Sequence, residues 1–249
     1  MPKRMDLEFV ETEDWNLKGY TLIEGFPGMG LVGTISAKYL VEKMNFKQIG
    51  FVDSDNFMPI IRIHDGMPVH PSRIYASAQY KLVVLISEQI ISQQHTQHVA
   101  NSVVDWIRKK GISRVISLAG INSPSAGEGV QIFGIAANES GKKFLQAHNI
   151  ELIKEGVTTG VTALILLQLK DLEDVEAISI LGSVKIGADY KASAELLKKL
   201  DEILGLDINV APLLKEAKEM EKALMSQLQK MKESQENVAQ MEDHTPMYT

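Results

Sequence analysis

Between residue 20 and about residue 204, short runs of β-branched and aliphatic residues alternate with stretches whose apolar positions recur at helical spacing. That alternation predicts an α/β domain of parallel strands joined by crossover helices. The predicted strands are 20–24, 48–53, 81–87, 114–119, 131–137 and 176–181. Three of them contain LVVLIS, RVISLAG and AISILG, nearly unbroken apolar runs of the kind covered by helices on both faces, and are expected at the centre of the sheet. The predicted helices are 31–44, 94–110, 140–147, 161–169 and 192–204, with Gly111 and Gly205 closing two of them. Val99, Val103, Trp106 and Ile107 form a single stripe, so the second helix turns that side to a core.

The pattern changes after Pro212. Residues 213–242 are charged, rich in Met and Gln, and contain neither glycine nor proline. Ala217, Leu224, Met231 and Val238 recur every seven residues, with Met220 and Met241 at the companion position and Gln227 and Ser234 interrupting it. This reads as a long C-terminal helical tail with a weak seam; such a helix needs partner helices or its own domain to lie on, because most helical stability comes from packing an apolar face. The expected organisation is an α/β core over 1–209, a helical stalk over 210–243 and a terminal segment over 244–249.

Composition narrows the function classes. Apolar residues make up 45% of the 249 and charged residues 23%, as in globular proteins. A net charge of −6 supplies no basic field for a phosphate backbone, so no nucleic-acid partner is expected. The absence of cysteine removes disulfides and thiolate zinc sites and points to the cytoplasm. No apolar run reaches the roughly 18–20 residues of a membrane span, and the acidic start MPKRMDLEFVETED has no signal-peptide core.

Chemistry is sparse. Gly28, Gly30 and Gly33 make G-x-G-x-x-G between a predicted strand and helix, with Gly25 just before, and Asp53 and Asp55 stand some twenty residues on. A phosphate-cradling turn has this form. Pro27 within the turn, the missing Gly-Lys-Ser/Thr of a P-loop, and the equal need for glycine where a helix packs closely on a strand favour an architectural turn. A nucleotide- or phosphate-binding enzyme is the alternative. His95 and His98 lack a third ligand and are expected at the surface or in an oligomer contact. Arg62, His64, His70 and Arg73 crowd a segment broken by prolines and a glycine, read as a solvated loop able to meet an anion. Ser117, Ser123, Ser125 and Ser183 fall near strand ends but in no nucleophile elbow, while Asn138-Glu139-Ser140 reads as a helix cap. No catalytic residue, metal or cofactor is expected.

The last residues, Met247-Tyr248-Thr249, form a hydrophobic-tyrosine-any pattern. Ile23-Glu-Gly-Phe-Pro-Gly-Met-Gly-Leu-Val-Gly33 resembles the opening signature of the archaeal proteasome assembly chaperone family, and Ser117-Leu-Ala-Gly120, Phe133-Gly-Ile-Ala-Ala-Asn-Glu139, Ile180-Leu-Gly182 and the run from Asp189 to Ile208 are similar to its later blocks, in order. Ser87-Glu-Gln-Ile-Ile91 and Ile121-Asn-Ser-Pro124 depart from it. The resemblance implies a nucleoside-phosphorylase-like, three-layer fold with a mostly parallel sheet, a homo-oligomer such as a tetramer or pentamer, and action as an assembly chaperone or ATP-independent activator. It further implies that Met247 and Tyr248 enter a pocket between proteasome α subunits while the Thr249 carboxylate meets a lysine there.

Overall fold

The structure, a computed structural model, describes residues 7–54, 57–122, 129–184, 187–215, 225–226 and 229–230. In chain order the elements are β1 (Glu8–Glu11), β2 (Thr21–Gly25), α1 (Val32–Lys43), β3 (Lys47–Asp53), β4 (Arg62–His64), β5 (Met67–Val69), β6 (Ser72–Ser77), β7 (Leu82–Ser87), α2 (Gln93–Lys110), β8 (Arg114–Asn122), β9 (Ile132–Ala136), α3 (Glu139–Ala147), β10 (Glu151–Leu152), α4 (Val161–Leu169), β11 (Glu176–Val184) and α5 (Tyr190–Leu204). A short 3-10 turn, Met29–Leu31, precedes α1.

Among the described residues, nine strands share one sheet in the order β1-β3-β6-β7-β2-β8-β11-β9-β10. The three apolar runs do lie at its centre: β7, β2, β8 and β11 are neighbours and mutually parallel. Outside them the sheet is mixed. β6 runs antiparallel to both β3 and β7, β1 to β3, and β9 to β11. The expectation of a mostly parallel sheet therefore holds for the centre and not for the flanks. A parallel return needs a crossover long enough for a helix, and none separates β6 from β7.

Strand alternation divides the apolar residues into two cores, giving three layers. Ile23, Ile116, Ile178 and Ile180 face α1 and α5; Leu22, Val83, Leu85, Val115 and Ala177 face α2 and α4. The predicted stripe of α2 is buried as expected. Asn138 caps α3 by accepting from the Gly141 N–H at 3.1 Å, and its amide donates to the carbonyls of Leu172 and Val175, fixing α3 to the turn before β11.

The segment read as a solvated loop is a hairpin. Asp65 and Gly66, both with positive φ (49° and 76°), turn β4 into β5, the conformation that two-residue hairpins favour. Pro68 is tolerated because this separate two-stranded sheet has only edges.

Candidate functional site

The glycine-rich turn leaves β2 in the middle of the sheet and enters α1 through the 3-10 turn. Three of its four glycines answer to packing. A Cβ on Gly33 would lie 2.1 Å from the Leu118 carbonyl oxygen, and one on Gly25 would lie 2.3 Å from that of Gly33, so α1 rests directly on the β2–β8 pair. Gly30 has φ +63°, and a Cβ there would meet Val184 Cγ1 at 2.6 Å. The Gly30 carbonyl also accepts from the Asp189 N–H at 2.8 Å, and the Asp189 carboxylate in turn caps α5 through the Ala192 N–H. Gly28 differs: φ is −153°, and a Cβ would find only the Phe26 carbonyl oxygen at 3.9 Å.

This geometry weighs against the nucleotide alternative. The second glycine of a dinucleotide turn lets a pyrophosphate approach the backbone, whereas here Val184 stands against Gly30. Asp53 ends β3, which two strands, β6 and β7, separate from β2. Three strand spacings amount to about 14 Å, too far for the adjacent-strand acid that holds a ribose. Asp55, Ser123 and Ser125 lie outside the described residues.

One face of the turn is open. Pro27, Gly28, Gly30, Leu31 and Ile90 line a cleft of about 600 Å³, and so do Met225 and Gln229 of the tail. Met29 beside it is 52% exposed. The other described residues of the expected stalk are 210–215, helical from 211 and anchored by the fully buried Leu213, together with Ser226 and Lys230. Ala217, Met220, Leu224, Met231 and Val238 of the expected seam, and Met247, Tyr248 and Thr249, lie outside the described residues.

Two charged features escaped the sequence reading. Glu24 is fully buried on the α2/α4 face of β2. Ser117, Thr162 and the Phe26 backbone stand close enough to favour its charged form, but none completes a hydrogen bond; burial outweighs them and pushes the carboxyl up to about 7. Its signal was a lone acid inside an apolar strand. The second is an ion cluster. Glu88 accepts from Arg62 and, at 2.9 Å, from Arg73, whose other terminal nitrogen donates to the His70 carbonyl at 2.7 Å. Arg62 also lies 3.6 Å from Glu42 on α1. These arginines are therefore occupied within the chain, which corrects the reading of a solvated, anion-binding loop. His64 stays exposed, and His70 stacks on Phe51 at 3.6 Å. Holding Arg62 inward turns Ile61 and Ile63 outward, about two-thirds exposed, and Met67, which pairs with His64, is equally exposed.

His95 pairs with Ser92 at 3.0 Å, and no group of three metal-ligating side chains exists among the described residues. No helix among them is long and apolar enough to cross a membrane.

Residues 22–228 match the model of the PAC2 family. The chain belongs to the PAC2 family. An uncharacterized protein of Methanocaldococcus jannaschii is 32% identical over 219 residues, covering 88% of this chain and 89% of its own. Among solved PAC2-like structures, Pyrococcus furiosus PbaA, described as an archaeal homolog of proteasome-assembly chaperone, superposes with a TM-score of 0.81 at 28% identity, over 93% of this chain and 99% of its own. P. furiosus PbaB, described as an archaeal proteasome activator, gives 0.73 at 22% identity, over 88% and 98%; that likeness shows the fold. Human proteasome assembly chaperone 2 is 23% identical over 116 residues, 43% of this chain and 44% of its own.

Proposed function

We propose that this PAC2 protein is a cytoplasmic homo-oligomer that binds the α ring of the proteasome as an assembly chaperone or ATP-independent activator. The observation that carries the reading is the match to the family over residues 22–228, together with the likeness to an archaeal homolog of proteasome-assembly chaperone along nearly its whole length. Met247 and Tyr248 supply the contact, entering a pocket between neighbouring α subunits, with Thr249 as the third residue of the pattern.

A single short tail buries little area and loses ordering entropy on docking, so each contact is weak. Several tails on one oligomer raise the effective concentration and make the whole avid. The outward Ile61 and Ile63, with the exposed Met67, support self-association, because they are apolar surface that a monomer leaves in water. Val184 against Gly30, and the two strands between Asp53 and the turn, favour docking over nucleotide chemistry. Deleting Met247, Tyr248 and Thr249 abolishes association with purified α ring in a pull-down; retention at the wild-type level rejects the tail mechanism.

A further inference from the structure

We infer that the open face of the glycine turn is the receptor for this chain's own tail: Met225 and Gln229 latch onto Gly28, Leu31 and Ile90 and hold the tail against the domain until a partner draws it away. Three observations carry the latch. Met225 and Gln229 are both helical, stand four residues apart and line the same cleft as the turn; on a helix that spacing puts two side chains on one side.

Gly28 supplies the second. Its three companions are held to glycine by close packing, and one of them by a positive φ as well, but nothing inside the fold requires a glycine at 28. The missing side chain leaves bare backbone facing the cleft, where a flexible methionine can settle. Third, the two ends of the contact differ in how firmly they are held. The floor is rigid, since Gly30 is braced by Val184 and by the Asp189 N–H. The tail is fixed at its root by the fully buried Leu213, whereas Met225 stays 45% exposed. A contact so partial is easily reversed, which suits a latch and not a core.

The inference rests on the docking proposal only for what the released tail does. A contact at 225–229 shortens the free reach of Met247 and Tyr248 toward the α ring, so the two contacts compete, and each lowers the apparent affinity of the other.

The test is hydrogen exchange on the full chain, wild type against Gly28→Val and Met225→Asp. A Cβ at 28 meets only the Phe26 carbonyl oxygen at 3.9 Å, and aspartate at 225 places charge on the contact, so melting temperatures stay at the wild-type value. The latch predicts at least threefold faster exchange in residues 225–230 in both variants, with wild-type protection independent of chain concentration. Unchanged exchange in both variants overturns it. So does protection lost on dilution, which assigns the cleft to a neighbour's tail. In an α-ring titration Gly28→Val binds at least as tightly as wild type, and weaker binding contradicts the competition. A wild-type chain that ignores the ring sinks the docking proposal alone, since the exchange result decides the latch without it.

Discussion

At the scale of single residues, Glu24 carries the clearest linkage. Its folded carboxyl titrates near 7, against 4.5 for the ordinary group, because burial disfavours the charge. The stability contributed by keeping it neutral is fully present below pH 4.5 and is lost as the pH rises through 7. The loss amounts to on the order of 3 kcal/mol. Glu24→Gln removes this dependence, so the melting temperature of the wild type falls relative to the variant between pH 5 and pH 8; parallel profiles contradict the assignment. The glycines give a second residue-scale prediction. Gly33→Ala sets a methyl 2.1 Å from a main-chain oxygen that cannot rotate away, costing about 3 kcal/mol or more in urea denaturation, whereas Gly28→Ala changes stability by less than about 0.5. The G-x-G-x-x-G spacing was legible in the sequence, but which glycines answer to packing was not. That depends on Leu118 and Val184, which lie on strands distant in sequence.

At the scale of elements, Glu88 joins three of them. It holds Arg62 of the hairpin and Arg73 of β6 where β7 ends, with Glu42 of α1 within reach of Arg62. Arg73 and Glu88 are only 3% and 4% exposed, so Glu88→Gln leaves the buried Arg73 guanidinium and the half-buried Arg62 without their shared carboxylate. A loss of about 3–5 kcal/mol in urea denaturation is expected, with faster proteolysis at residues 62–69. A variant within 1 kcal/mol of wild type shows that the cluster stabilises nothing. The helices and the central strands were readable because their apolar periodicity is set by burial on one or two faces. The hairpin was not: Arg62 points inward and the isoleucines outward, the reverse of an ordinary surface strand, and the prolines concealed the Asp65-Gly66 turn. β1 and β6 were not read as strands at all, and β9 gave no hint of direction, because antiparallel pairing is decided by connections and partners, not by a strand's own residues.

At the scale of the whole molecule, the proposed function requires the α/β core to meet copies of itself and a ring-shaped partner. If the exposed hairpin face is covered by a second copy, the double variant Ile61→Ser/Ile63→Ser lowers the mass seen by light scattering; an unchanged mass puts the oligomer contact elsewhere. The family was legible in the turn from Ile23 to Gly33 and in the later blocks, because the close approach of α1 to the central strands demands those small residues. The proposed docking role rests on a three-residue pattern, Met247-Tyr248-Thr249, that lies outside the described residues. The most direct test is therefore the affinity of the full chain for purified proteasome α ring, wild type against Tyr248→Ala. The account predicts that removing the tyrosine weakens binding at least tenfold without altering the melting temperature or the oligomer mass; equal affinity for the two chains contradicts it.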